Sequence, residues 1–144
     1  MRAAHGRSPE AAMAEQRKRV LVADDDKVWV ELLRHELRER GFDVLTAYDC
    51  IQALMVAMKS EVDAIVLDVQ MPGGTGEATL QRLRSSTRTG AVPVIVVSAL
   101  SDEQLPDRAK ALGADAFLRK PVAPSEVCDT LCEVLGLPAA AQPL

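Results

Sequence analysis

The sequence is poor in aromatics, in cysteine and in long apolar runs, and each scarcity narrows what the chain can be. Only 3% of its 144 residues are aromatic, namely Trp29, Phe42, Tyr48 and Phe117. No apolar stretch approaches the ~20 residues needed to span a bilayer core. Cys50, Cys128 and Cys132 are few, odd in number and without a Cys-x-x-Cys spacing, which argues against a disulfide framework and against a zinc site. The Arg-bearing start, Met1 to Arg19, lacks the apolar segment of a secretory signal. A basic surplus is missing as well. The chain carries 17 Lys+Arg against 21 Asp+Glu, a formal net charge of −4, whereas a free-standing binder of nucleic acid or of an anionic membrane needs excess Lys/Arg against the phosphates. A cytoplasmic protein with reduced thiols is the class that remains.

What is present is a hydrophobic fraction of 48% on a length that suits one domain. Such a domain buries roughly 70% of its unfolded surface without metal or disulfide staples. Residues 1–17, rich in Ala, Arg and Glu, read as a disordered extension with a transient helix around Glu10–Lys18. From there short β-branched runs alternate with amphipathic segments. Arg19–Ala23, Asp43–Ala47, Ala64–Leu67, Pro93–Val97 and Ala116–Leu118 read as strands. Asp26–Arg40 is predicted as a helix with Trp29, Leu32, Leu33 and Leu37 on one face and Gly41 as its stop. Asp49 opens a second helix to Lys59, with Gln52 at capping-box spacing. A third follows the Pro72–Gly76 loop to about Arg84, a fourth ends at Gly113, and a fifth runs from Ser125 to Leu135, closed by Gly136. Five strands alternating with five helices, the strands apolar rather than alternating, imply an α/β domain (18–136) whose parallel sheet is covered on both faces. Residues 137–144 form a tail.

The informative pattern is what ends each strand. The first ends in Asp24-Asp25-Asp26, the third in Asp68, the fourth in Ser98 and the fifth in Arg119-Lys120. In a parallel sheet all carboxyl ends lie along one edge, where open α/β folds bind ligands. Two carboxylates ~5 Å apart repel by roughly 3 kcal/mol at an effective dielectric near 20, so two or three in one cleft call for a cation. Hard carboxylate and carbonyl oxygens suit Mg²⁺. With a hydroxyl and an ammonium beside it, such a cation makes a site for handling phosphoryl groups, in which a carboxylate can attack phosphorus in line. Asp26 directly precedes a helix and reads as its N-cap. Asp24 and Asp25 exceed what capping needs, and Asp68 precedes a Gly-rich loop. Ser98 alone would be a turn hydroxyl and Lys120 alone a surface lysine; the joint pattern across four strand ends carries the weight.

DDD at Asp24–Asp26, DVQMPGGTG at Asp68–Gly76, PVIVVSA at Pro93–Ala99 and FLRKP at Phe117–Pro121 resemble the receiver domain of two-component response regulators. The likeness covers about Lys18 to Gly136. It implies a flavodoxin-like fold with sheet order 2-1-3-4-5, and Asp68 as acceptor of a phosphoryl group from a sensor histidine kinase or phosphotransfer protein. It implies Mg²⁺ held by Asp24, Asp25, Asp68 and the backbone carbonyl of Gln70. Ser98 and Lys120 would bind the phosphoryl oxygens, and Phe117 occupies the position of an aromatic that turns inward as Ser98 moves. Lys120-Pro121 resembles a cis peptide of the family. The fourth helix, fifth strand and fifth helix form the family's signalling surface toward a downstream partner. Such a domain is not an enzyme toward a separate substrate, although it catalyses its own phosphorylation and dephosphorylation.

Departures from the family pattern refine these expectations. Thr75 stands where an acidic residue often precedes the loop glycine. Leu100, two residues past Ser98, is expected to shield an acyl phosphate from water and slow its hydrolysis. Pro106 disrupts a fourth helix capped by Ser101 with Gln104, or else marks a short helix beginning near Leu105–Pro106, which would alter the partner surface. His5 and His35 are expected to be bland, and Cys128 with Cys132, at i and i+4, to pack rather than react. Only the eight residues 137–144 follow Gly136, too few for a DNA-binding module, so output is expected through another protein, a homodimer or a further relay step. A receiver fragment of a larger regulator is the alternative. A scaffold-only pseudo-receiver would be expected to lack one of Asp25, Asp68, Ser98 or Lys120. A dehalogenase-type phosphatase would want an Asp at Gln70 and a cap domain. A flavodoxin would want a hydroxyl- and glycine-rich phosphate loop where three Asp stand.

Overall fold

Alternation of β-branched runs with amphipathic segments becomes alternation of strand and helix. The computed structural model describes residues 8–9 and 17–138. Almost all of the expected disordered extension, its transient helix, His5 and the tail from residue 139 lie outside them. The elements are β1 (Arg19–Ala23), α1 (Lys27–Glu39), β2 (Asp43–Ala47), α2 (Cys50–Lys59), β3 (Ala64–Leu67), α3 (Gly76–Ser85), β4 (Val94–Ser98), α4 (Leu105–Ala111), β5 (Ala116–Arg119) and α5 (Pro124–Leu135). The strands form one parallel sheet in the order β2-β1-β3-β4-β5, the order the family resemblance implies.

The two-residue period of a strand divides its side chains between two apolar layers. Leu21, Ile65, Leu67, Val94 and Val96 face α2, α3 and α4. Val20, Val22, Val66, Ile95 and Val97 face α1 and α5. Central strands buried on both faces cannot alternate polar with apolar, which is why RVLVA, AIVL and VIVVS are continuous apolar runs.

Helix ends follow local chemistry. Asp26 caps α1, its Oδ1 accepting from the N–H groups of Val28 and Trp29 at 3.1 and 3.2 Å. Asp49 caps α2 through the Gln52 N–H at 2.7 Å, and the Gln52 amide oxygen reaches back to the Tyr48 N–H at 2.7 Å, one residue short of a reciprocal capping box. Thr75 caps α3, a use that explains a hydroxyl at that place in the loop. Gly136 ends α5 at φ 69°, a left-handed conformation that glycine adopts without strain. At Gly76 the reason for glycine is different. An added Cβ would sit 2.1 Å from the Cα of Val69, so only glycine lets the start of α3 pass so close behind the Asp68 loop.

Two expectations need correction and one alternative is decided. Leu32 does not lie on the buried face of α1. It is 55% exposed, while Val30, Leu33 and Leu37 are fully buried and Trp29 is half-buried at the edge. The fourth strand runs from Val94 to Ser98 rather than from Pro93, whose ring nitrogen has no N–H to pair. The fourth helix is short: it starts at Leu105 with Pro106 in its first turn, where the missing N–H is no loss. The Lys120–Pro121 peptide is cis.

Candidate functional site

The carboxyl ends of β1 and β3 lie side by side because Ala23 is in register with Leu67. Asp24 and Asp68 therefore leave the sheet at the same level. Their own backbone N–H groups bond to Ala47 and Ala23 carbonyls at 3.0 and 2.9 Å, so the ladder holds both acids in place before any side-chain contact is made. Asp25, next along the chain, projects into solvent. One carboxylate oxygen from each of Asp24, Asp25 and Asp68 can be chosen so that all three lie within 4.8 Å of one another.

β5 supplies the counter-charge. Ser98 pairs with Arg119, and Lys120, one residue further, reaches back over the sheet edge. Its Nζ lies 2.6 Å from Asp24 Oδ2 and 3.6 Å from Asp68 Oδ2. The remaining oxygens are also used: Asp24 Oδ1 accepts from the Asp26 N–H at 3.0 Å and Asp68 Oδ1 from the Gln70 N–H at 2.8 Å. Asp24 is 2% and Asp68 5% exposed. Burial pushes the Asp68 carboxyl up to about 6 and the Asp24 charge adds to the rise, against the opposing pull of the Gln70 N–H and Lys120. Three carboxylates against one ammonium leave the cleft short of positive charge.

The other expected groups are arranged around this cluster rather than in it. Ser98 is fully buried at the same edge, and its hydroxyl accepts from the Leu100 N–H at 3.2 Å, within its own loop. Leu100 is half-buried against the apolar layer under α4. Gln70 is exposed beside Asp68. Phe117 is half-buried on β5, packed on that same layer, with the Arg119 guanidinium 5.2 Å from its ring centre. Arg119 in turn donates to the Asp102 carbonyl at 3.1 Å. Asp102 pairs with Arg108 at 2.9 Å, and Arg108 with Glu77 of α3 at 3.0 Å.

Reading the sequence missed Trp29 as part of the site. Its ring centre lies 5.5 Å from Lys120 Nζ, a cation–π distance. The signal was available: Trp29 is in the first turn of a helix that begins at the acid cluster. Of the bland expectations, those on described residues agree with the structure. His35 is exposed, and Cys128 and Cys132 are buried and free, with burial pushing the Cys128 thiol up to about 12.

The donor set consists of hard oxygens at a negatively charged, largely dry edge, which fits Mg²⁺. A buried carboxylate flanked by an ammonium can accept an electrophilic phosphorus, with the ammonium offsetting charge on the phosphoryl oxygens.

Comparison with known proteins agrees with this chemistry. The family model described as the response regulator receiver domain matches residues 20–132. The alkaline phosphatase synthesis transcriptional regulatory protein PhoP of Bacillus subtilis is 36% identical over 110 residues, covering 76% of this chain and 45% of PhoP. The chain spans less than half the length of the curated relatives it matches. Among solved structures, the chemotaxis response regulator CheY4 of Vibrio cholerae superposes with TM-score 0.77 at 30% identity, over 83% of this chain and 99% of that one. The receiver domain of a sensor histidine kinase from Pseudomonas aeruginosa, solved with magnesium coordinated in its active site cleft, gives TM-score 0.76 at 25% identity, over 83% of this chain and 98% of that one.

Proposed function

The chain belongs to the response regulator receiver domain family, and from that premise we propose that Asp68 is its phosphoacceptor. In this reading residues 18–136 are a cytoplasmic phosphorylation switch. A sensor histidine kinase or a phosphotransfer protein presents a phosphohistidine at the carboxyl edge of the sheet. Val28 and Leu32 on the outer face of α1, 71% and 55% exposed beside the acids, suit the apolar side of such a donor. No described helix is long and apolar enough to cross a membrane.

Asp68 attacks phosphorus in line, so that an O–P bond forms as the N–P bond to the donor imidazole breaks and the imidazole takes up a proton. Asp24, Asp25, Asp68 and the Gln70 carbonyl would hold Mg²⁺. When bound, the ion neutralises phosphoryl oxygens and relieves the repulsion among the acids. Lys120, already placed between Asp24 and Asp68, turns to one phosphoryl oxygen, and the Ser98 hydroxyl gives up its contact with Leu100 to donate to another. As Ser98 moves, Phe117 leaves its place against Arg119, and the surface of α4, β5 and α5 changes for a downstream protein. The short α4 reshapes that surface. Water later attacks the acyl phosphate and returns the domain to rest, with Leu100 slowing its approach.

One observation carries this proposal: a buried, proton-hungry carboxylate shares an ammonium with a second buried acid at the sheet edge. Incubation with acetyl phosphate and Mg²⁺, followed by intact-mass spectrometry, is expected to add one phosphoryl group to the wild type and none to Asp68→Asn. No gain in the wild type would return the scaffold-only alternative.

A further inference from the structure

α2 is the most apolar of the described helices, and its outer side is exposed. Ile51 and Met55, one turn apart, are 60% and 50% exposed and stand as a ridge along the helix. A groove lies on either side of it. One, of about 500 Å³, runs between α2 and α3 over Leu54 and Met58 and ends in the cations Lys59 and Arg82. The other, of about 610 Å³, runs along the far flank from Asp49 to Lys59. Residues 51, 54, 55 and 58 follow the i, i+3, i+4, i+7 spacing of a helix that packs against another helix.

We propose that this face pairs with the same face of a second copy of the chain, α2 against α2 in antiparallel, two-fold symmetric fashion. Charge selects that occupant. Asp49 and Lys59 stand at the two ends of the far-flank groove, so a two-fold axis across its middle brings each Asp49 opposite the partner's Lys59. Antiparallel pairing also sets the positive end of each helix dipole against the negative end of the other. An isologous contact requires this self-complementarity, whereas a helix from an unrelated partner has no reason to mirror it. The axis passes between Leu54 and Met55, so Met55 lies beside its own counterpart and opposite Leu54, and Ile51 faces Met58 across the interface. Ten helical residues, about 15 Å of helix, bury well under the ~1,000 Å² of a stable interface. The pair is therefore weak and concentration-dependent. It flanks the β2 edge, away from β5, so the α4–β5–α5 surface stays free on both copies. The proposal does not depend on whether Asp68 is phosphorylated.

Single-cysteine cross-linking tests it, because the native thiols are at most 2% exposed. Under a copper–phenanthroline oxidant, Met55→Cys is expected to form a disulfide dimer faster than Glu133→Cys on the remote, exposed face of α5. Ile51→Cys mixed with Met58→Cys is expected to give the heterodimer, and Ile51→Cys alone to give none. Sedimentation velocity of the wild type should show a mass that rises with concentration. That rise should be lost in Ile51→Glu, reduced in Lys59→Glu and kept in Lys110→Glu on α4, with folding of each variant checked by circular dichroism. A wild type that stays monomeric into the millimolar range overturns the proposal. So does Met55→Cys cross-linking no faster than the α5 control, or efficient self-linking of Ile51→Cys, which would mean parallel pairing or another occupant.

Discussion

Replacing Asp68 with Asn should make the metal-free protein more stable, although it removes the residue on which the proposed function turns. Asp68 is 5% exposed, and burial together with the Asp24 charge pushes its carboxyl from an ordinary 3.8 up to about 6. A carboxyl whose pKa is raised on folding binds its proton more tightly in the folded state. Stability from this group is therefore complete below the unfolded value near 4 and is lost as pH rises through about 6. A shift of about two units corresponds to roughly 3 kcal/mol at pH 7.5 and above. The amide of Asn keeps the shape and still accepts from the Gln70 N–H, though more weakly than a charged oxygen by about 1 kcal/mol. The expected net gain is about 1–2 kcal/mol, which raises the melting temperature by several degrees, at roughly 4–8 °C per kcal/mol in a small domain.

The assay is thermal unfolding in EDTA, followed by circular dichroism from pH 4 to pH 8. Wild type and Asp68→Asn should melt together near pH 4, separate between pH 4 and 6, and keep a constant gap above pH 7, the variant higher. Adding Mg²⁺ should close the gap by stabilising the wild type alone, by about 2.7 kcal/mol at a hundred times its dissociation constant. A variant less stable than the wild type at pH 7.5, or a gap that does not change with pH, would refute the view that Asp68 is held ionised against its surroundings.

Lys120→Ala removes the one ammonium between Asp24 and Asp68 and is expected to slow phosphorylation by acetyl phosphate about 10²–10³-fold, read by intact mass over time; a loss below threefold would contradict its assignment. Gly76→Ala sets a Cβ 2.1 Å from Val69 Cα and should destabilise the domain by about 3 kcal/mol, read by urea unfolding, with a change under about 0.5 kcal/mol counting against the close approach. Leu100→Asn should shorten the life of the phosphorylated form, followed by loss of the added mass after the donor is removed, and an unchanged half-life would dispose of the shielding role.

The parts legible in the sequence and the parts that were not differ in what holds them. The meeting of Asp24, Asp68 and Lys120 follows from topology, because a parallel sheet brings every strand's carboxyl end to one edge whatever the intervening helices contain, while the strand order came from the family resemblance. Pro106 was legible because a missing N–H allows few positions in a helix, and α4 begins where that constraint is met. Leu32 was misplaced because apolar type was taken for apolar face. At 3.6 residues per turn it lies about 130° around from the centre of Val30, Leu33 and Leu37. Links made by long side chains left no trace in the sequence pattern. Arg84 bonds to the carbonyls of Val92 and Gly113 at 2.7 Å and to Asp115 at 3.0 Å, yet arginine spacing names none of these partners. Arg40 likewise joins α1 to Asp129 of α5 at 2.7 Å.

The rotations proposed for Ser98 and Phe117 were implied by the family resemblance and not by any local pattern in the residues. Ser98 is held by one hydrogen bond to its own loop, Phe117 by the edge of an apolar layer and one guanidinium, and each such contact is worth only about 1 kcal/mol. Interactions that weak are lost among the alternatives a sequence allows, so no pattern in it selects them. Weakness is also what a switch requires. New charge-assisted bonds from a phosphoryl group on Asp68, at about 1.5–3 kcal/mol each, exceed them and leave the topology untouched. In the proposed reading, these weakly held groups are the ones that phosphorylation moves.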